Sequence, residues 1–403
     1  MLYLHYKLYA MEKLIVKNFG PIKEAEIDLT KYVVFIGDTP TGKSVLAKLI
    51  AIFRDNDLVL SSNKSKEFER LLEHYNIDFL YYESNIDYFK ENLNISLSDG
   101  NIYIYKDGQP LFIEKDDEKK ADLKAIIEDV DAISSNIKNY KSRDIVVLKE
   151  MIKRLIDNDR QDLYSFPVYI PAERILISII ETSISGLWAN NIALPDCLKE
   201  FAAKYEMSKK QIKESNYDLL GITYKYDIGL DTIIQNDKQF VLSQTSSGIQ
   251  SLLPLLLVLD YELNHNPFEF IKNVIIEEPE LNLFPSKQKY LIDYIISLFS
   301  KDLNSNLVIT THSPYILSVL DTLILAKNTF NEHPDLKEEI AAIVSEDIWI
   351  DYNDISVYEV KNDGTIKSIK NEEFKSIDTN AIDGVSDIIS EQFDKLTELR
   401  YAQ

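Results

Sequence analysis

The chain has 403 residues, with 66 Asp and Glu against 44 Lys and Arg and a formal net charge of -22. A surface this acidic repels polyanions and excludes a general nucleic-acid-coating role, so any DNA or RNA contact has to be local. The single cysteine, Cys197, rules out an intramolecular disulfide framework and a Cys-based zinc site, and no apolar stretch is long enough to span a bilayer; a cytoplasmic protein without membrane attachment is expected.

Residues 1–10 lack the apolar core and cleavage pattern of a signal peptide, and Met11 is a candidate natural start. Beyond them, Leu14–Phe19 and Ala25–Leu29 read as short strands joined by a Gly20-Pro21 turn, leading into the apolar run Tyr32–Ile36. Directly after that run comes Gly37-Asp38-Thr39-Pro40-Thr41-Gly42-Lys43-Ser44, which fits GxxxxGK(S/T), and then the apolar, helix-like Val45–Ile50. Strand, loop and helix in this order make a phosphate-binding loop. Its glycines let backbone N–H groups curl around the phosphates of ATP, Lys43 reaches the terminal phosphates, and Ser44 ligates Mg2+.

From Asp55 to Asp162 charge rises, and helical stretches flank an alternating hairpin, Leu93–Leu97 and Ile102–Tyr105, turned by Asp99-Gly100-Asn101. This reads as an insertion; it lacks the sustained heptads of a long coiled-coil arm. Pro167–Pro171 reads as a buried strand, after which Glu173 and Arg174 open an isoleucine-rich helical stretch, and charged side chains at a strand's end are well placed for a site. Asn190–Asp218 reads as helical with mixed charge and Gly221–Phe240 as two alternating strands. Basic clusters at Lys138–Arg143 and Lys204–Lys213 are interleaved with acids, which favours solvated helix faces over a nucleic-acid patch.

Thereafter α/β alternation returns: a helix after Gly248, a strand at Val274–Ile276, a helix over Lys287–Phe299, a strand at Leu307–Thr310 and a helix after Pro314. Short strands are expected at Ile348-Trp349-Ile350 and Ile355–Val360, then a turn at Asn362-Asp363-Gly364 and a polar terminal helix ending near Leu399. The strand at Val274–Ile276 delivers Glu277 and Glu278 to its C-terminal end, the edge where nucleotides sit in open α/β sheets. Glu277 is the magnesium-side carboxylate and Glu278 the candidate general base for the attacking water. Ser246-Ser247-Gly248 before an apolar helix is by itself a common helix cap whose free N–H groups suit phosphate.

These landmarks, with Ile15–Ile22, Ile170-Pro171-Ala172-Glu173-Arg174 and Glu278–Pro285, resemble the stand-alone ABC-type ATPases of the AAA family, related to the overcoming-lysogenisation-defect and SMC/RecF groups. The resemblance implies an α/β fold, an ABC-type P-loop ATPase head with a β-rich N-terminal opening and a helical and hairpin insertion. The corresponding divisions are 1–55 for the N-terminal lobe, 56–162 for the insertion, 163–360 for the rest of the core and 361–403 for a C-terminal extension. It also implies that Ser246, Ser247, Gly248 and Gln250 form a signature contacting ATP held by the other subunit of a homodimer or higher oligomer, and that His312 senses the γ-phosphate. Several members of the group are ATPase subunits of bacterial antiphage systems paired with a nuclease or toxin effector. A regulatory switch ATPase with such a partner is therefore expected. A RecF/SMC-like ATPase of DNA repair or nucleic-acid processing is the alternative, and the large insertion disfavours a transporter motor. Thr39-Pro40 replaces the usual Asn-Gly of the group, and Pro40 lacks a backbone donor, so hydrolysis is expected to be slow. Nothing beyond Trp349 resembles the acidic cluster of a metal-dependent nuclease.

Overall fold

A computed structural model describes residues 12–61, 63–79, 81–111, 165–180, 194–227, 229–265, 271–302, 305–378 and 384–401. The first strands, β1 (Glu12–Phe19) and β2 (Ile22–Asp28), pair antiparallel with Phe19 opposite Ile22, so Gly20-Pro21 is the two-residue turn. Next comes β3 (Tyr32–Ile36), buried on both faces, and the helices α1 (Lys43–Phe53), α2 (Asn56–Leu60) and α3 (Lys64–His74). The strands β4 (Asn85–Lys90), β5 (Leu93–Ser98), β6 (Asn101–Lys106) and β7 (Gln109–Pro110) then join the first two in a six-stranded sheet of order β2-β1-β4-β5-β6-β7. The β5–β6 turn is Asp99-Gly100, with φ of 51 and 73°, the left-handed pair that suits a tight hairpin.

This arrangement revises the expected insertion. Its described part, up to residue 111, is continuous with the N-terminal lobe, because β1 pairs with β4 along its length from Glu12↔Lys90 to Lys17↔Asn85. Residues 112–164, with the basic cluster Lys138–Arg143, lie outside the described residues.

A second six-stranded sheet forms the centre. Its order is β8 (Ser165–Ile170), β13 (Ile271–Glu277), β14 (Asn306–Thr311), β3, β15 (Ile355–Val360) and β16 (Ile366–Ser368); the first five are parallel and β16 closes the edge antiparallel. Strands buried on both faces read as continuous apolar runs, and each face has its own core. Val33, Phe35, Ile275 and Val308 pack with α1 and the antiparallel sheet, whereas Val34, Ile36, Ile276 and Ile309 pack on the opposite side. That opposite layer contains α4 (Ile175–Ile180), α5 (Asp196–Ile212), α6 (Ser247–Asp260), α7 (Pro285–Lys301) and α8 (Pro314–Glu332). The observed fold is thus α/β, as expected, with the C-terminal ends of β3, β8, β13 and β14 on one edge.

Three local expectations are corrected. The helix read across Asn190–Asp218 stops at Ile212, because Lys213 takes φ of 55°, and Glu214–Tyr217 forms β9 instead. The stretch Gly221–Phe240 yields β10 (Ile222–Asp227), β11 (Leu230–Gln235) and, after a left-handed Asn236-Asp237 turn, a third strand β12 (Lys238–Val241); with β9 they make a four-stranded sheet. Ile348-Trp349-Ile350 is not a strand. Glu346–Ile348 is a single 3-10 turn, the Trp349 indole N–H donates to Val344 O at 2.8 Å, and its ring packs 5.3 Å from Phe330, so these apolar residues anchor a turn to helices. The terminal helix spans Gly384–Tyr401.

Candidate functional site

At the end of β3 the chain must turn sharply and then start a helix, and two glycines make this feasible. Gly37 has φ of 153° and a Cβ there would lie 2.3 Å from Val360 O; Gly42 has φ of 100° and a Cβ there would lie 2.7 Å from Ile22 Cδ1. Neither place accepts a side chain. Between them, Thr41 folds back on Asp38 O through its N–H at 3.2 Å and its hydroxyl at 2.8 Å, and the Thr39-Pro40 peptide is cis. Lys43, almost fully buried at the first position of α1, donates to Gly37 O and Asp38 O, each at 2.8 Å. Burial pulls its ammonium below the ordinary lysine range, while Glu278, Asp38, Glu280 and Glu277 oppose that shift. Ser44 follows on α1, half-buried.

Two strands away, β13 ends in Glu277, and Glu278 takes a left-handed φ of 43°. Glu277 is buried and its Oε1 has no hydrogen-bond partner; the Tyr169 hydroxyl, driven well above its ordinary pKa by burial and by Glu277, bonds the same carboxylate. The strand between β3 and β13 is β14, which ends in Thr311, with His312 directly after it. Parallel pairing through β14 therefore brings the three motifs together. His312 Nε2 lies 2.9 Å from Glu278 Oε1 and 3.1 Å from Thr39 Oγ1, and Nδ1 lies 3.4 Å from Lys43 Nζ.

Glu280 holds His312 in place, a role the sequence alone did not reveal. Its Oε1 accepts from the Thr311 hydroxyl at 2.6 Å and from the His312 N–H at 2.9 Å. A further support is Gln288 on α7, whose Oε1 accepts from the Ser313 hydroxyl at 2.6 Å. The available signal was that Glu280 lies two residues past Glu278 in a turn, but such an acid reads as solvated unless the neighbouring strand is known.

The signature segment lies apart. Ser246 caps α6, accepting from Ile249 N at 3.4 Å, and Ser246 and Ser247 are exposed. Gly248 faces the loop after Glu280, where a Cβ would meet Asn282 O at 3.1 Å. The Gln250 amide is turned back on its own chain, donating to Ser243 O and Thr245 O at 3.1 and 2.8 Å. Among the described residues no hydrogen bond joins Ser246, Ser247, Gly248 or Gln250 to Gly37–Ser44.

Residues 11–317 match the AAA ATPase domain family, a range that includes Gly37–Ser44, Ser246–Gln250, Glu277–Glu280 and His312. The chain belongs to that family. No curated protein matches it. Among solved structures, this AAA ATPase domain is similar to the SMC head domain from Thermotoga maritima, at 13% identity and a TM-score of 0.38, over 77% of this chain and 92% of that one. It is also similar to an Smc head domain with an extended coiled coil, bound to the C-terminal domain of ScpA derived from Pyrococcus furiosus (11% identity, TM-score 0.37, 97% and 99% covered). A third is the recombination mediator protein RecF (11% identity, TM-score 0.31, 90% and 100% covered). Among the described residues of the AAA ATPase chain no helix is long and apolar enough to cross a membrane.

Proposed function

We propose that this AAA ATPase binds ATP with Mg2+ and hydrolyses it slowly, working as a homodimeric switch. The carrying observation is the contact of three separate motifs, with His312 within hydrogen-bonding distance of both Thr39 of the phosphate loop and Glu278 of the acidic turn. The residues fit the group they would hold. Gly37 and Gly42 leave no room for side chains, Lys43 supplies a cation, and Glu277 keeps a buried carboxylate oxygen free of protein donors. Ser44 and Glu277 would hold Mg2+, which supplies neutralisation of phosphate charge.

In this reading Lys43 exchanges the carbonyls of Gly37 and Asp38 for phosphate oxygens. Glu278 orients and deprotonates the attacking water, and His312, set between Glu278 and Thr39, registers the terminal phosphate. The helix N-terminus at Ser246, Ser247 and Gly248, with Gln250 behind it, closes on ATP bound to the partner subunit, where its N–H groups face the γ-phosphate. The test is Glu278→Gln, expected to keep ATP and magnesium binding while lowering turnover about a hundredfold. Glu277→Gln should weaken magnesium dependence instead. A Glu278→Gln rate near the unmutated one would place the base elsewhere.

The finer role, a sensor or regulatory subunit of a bacterial antiphage system acting on a separate nuclease or toxin, is supported by the resemblance of the sequence motifs. Lys43→Ala should then abolish protection of an expressing host in a plaque assay, and undiminished protection would sink it. The alternative, a RecF/SMC-like nucleic-acid-processing ATPase, does not draw on Lys204–Lys213, where Lys204, Lys209 and Lys210 have acidic partners. Lys204 pairs with Glu200 at 3.4 Å and Glu262 at 3.8 Å, Lys209 with Glu206 at 2.8 Å and Asp231 at 3.1 Å, and Lys210 with Glu206 at 3.5 Å.

A further inference from the structure

Arg174 has no accessible surface, yet every N–H of its guanidinium is used on a backbone carbonyl. Nε donates to Ser251 O at 3.1 Å, Nη1 to Pro171 O at 3.2 Å and Glu277 O at 2.7 Å, and Nη2 to Glu278 O at 2.8 Å and Pro279 O at 3.3 Å. Burying a cation costs several kcal/mol unless its donors are satisfied. Here five carbonyl bonds do this, and only a planar, five-donor group can spread across so many acceptors. Burial lowers its pKa to about 10, which leaves it charged at neutral pH, with Glu280, Glu278 and Glu277 opposing the shift.

Each end of this clamp holds something that would otherwise relax. On one side is the acidic turn, where Glu278 has a φ of 43° that a non-glycine residue adopts at an energetic cost of about 1–2 kcal/mol. The turn is closed by Glu278 N to Thr310 O at 2.9 Å and Leu281 N to Glu278 O at 3.1 Å, and Arg174 binds three successive carbonyls across it. On the other side is α6. Pro254 inside that helix has no N–H for the carbonyl four residues earlier, Gln250 O, and the Ser178 hydroxyl takes it at 2.7 Å. Arg174 takes the next carbonyl, Ser251 O. Residues from a single short segment, 171–178, thus grip α6 just behind Ser246–Gly248 and grip the turn that carries Glu278.

We infer that Arg174 is a positioning residue for the hydrolytic step, a rigid link through which the placement of the α6 N-terminus sets the placement of the Glu278 carboxylate. The inference rests on the reading of Glu278 as general base. Movement of Ser246–Gly248 toward or away from a phosphate shifts Ser251 O, the guanidinium follows as a plane, and the carbonyls of Glu277 and Glu278 follow with it. Such a link needs two anchored ends and a stiff middle, and all three are present.

The test is a cycle of Arg174→Lys and Glu278→Gln in the full chain, with ATP binding, the KM for Mg-ATP and kcat measured for each and folding checked by thermal melting. Lysine keeps the charge but offers fewer donors from one nitrogen. We expect Arg174→Lys to lower kcat by roughly tenfold or more, with KM and ATP affinity within about twofold, and to slow the Glu278→Gln protein by less than about twofold. Equal losses in both backgrounds would mean a role independent of Glu278 and overturn the inference, as would an Arg174→Lys kcat within about twofold of the unmutated one. Full turnover by Glu278→Gln alone would instead overturn the base assignment, whatever Arg174 does. If Arg174→Lys does not fold, Ser178→Ala decides. It removes one bond to α6 and should lower kcat about threefold at constant KM, and an unchanged kcat overturns the link.

Discussion

The assembly of two composite sites can be tested by subunit complementation. Gly248→Asp adds a Cβ 3.1 Å from Asn282 O, so the loop must give by a few tenths of an ångström, and it adds a carboxylate at the N-terminus of α6. A carboxylate there favours the helix itself by about 0.3–1 kcal/mol, so the protein should fold. Beside a γ-phosphate, however, two unit charges about 4 Å apart repel by about 4 kcal/mol at an effective dielectric near 20, roughly a thousandfold in closure. Lys43→Ala removes the cation that Gly37 O and Asp38 O now hold, and with it the charge for the β and γ phosphates. Each mutant homodimer then has no intact composite site, while a heterodimer has one. After random exchange half of the dimers are mixed and each retains one site of two, so phosphate release on equimolar mixing should recover to about a quarter of the unmutated rate. A mixture no more active than its components would refute the cross-subunit arrangement. So would a Gly248→Asp protein that hydrolyses ATP normally as a monomer across a dilution series.

Stability offers two independent checks. Glu12 accepts from Arg54 Nε at 2.6 Å and Nη2 at 3.0 Å and from the Tyr88 hydroxyl at 2.6 Å, tying β1 to the end of α1 and to β4. Burial alone would raise the Glu12 pKa, but Arg54 overcomes it and the carboxyl is held below its ordinary value. Glu12→Ala strands a buried guanidinium, costing about 3–5 kcal/mol, or roughly 4–6 °C in Tm for a chain of this size; a fall below about 1 °C would show the pair to be dispensable. Asp55 caps α2 by accepting from Asp57 N, and burial pushes its pKa from 3.8 up to about 7. A raised folded pKa contributes stability that is fully present below the unfolded value of 3.8 and is lost progressively as pH rises through about 7, so Asp55→Asn, which keeps the cap, should gain clearly more Tm over the parent at pH 8 than at pH 5. Discounted for partial exposure, the gain is on the order of 1–2 kcal/mol, and equal differences at both pH values would remove Asp55 from the account.

What the sequence disclosed was local. The glycines at 37 and 42, the lysine that follows and the apolar strands before the loop and before Glu277 are short-range signals, and they located the sharp loop between β3 and α1 and the acidic turn after β13. The pairing of β1 with β4 was hidden, because an alternating strand does not declare its neighbour, and Asn85–Lys90 was therefore read as part of an insertion. Arg174 was seen as a charged residue near a site, but nothing local distinguishes a guanidinium bound for solvent from one buried against five carbonyls. Trp349 misled because three apolar residues in a row fit a strand as well as a docking turn.

The floor under the Gly37–Ser44 loop has a consequence for how the chain can be made. Val360 O, which lies where a Cβ of Gly37 would be, belongs to β15, and β15 is the neighbour that covers one side of β3. The AAA ATPase domain match ends at residue 317, well before that strand. A recombinant protein trimmed to the matched region would leave β3 as an open edge with unpaired N–H and C=O groups beside an apolar surface, an invitation to aggregate. On the ribosome the same holds in time: the Gly37–Ser44 loop cannot reach its final shape until synthesis has passed Val360, although the loop itself emerges more than three hundred residues earlier.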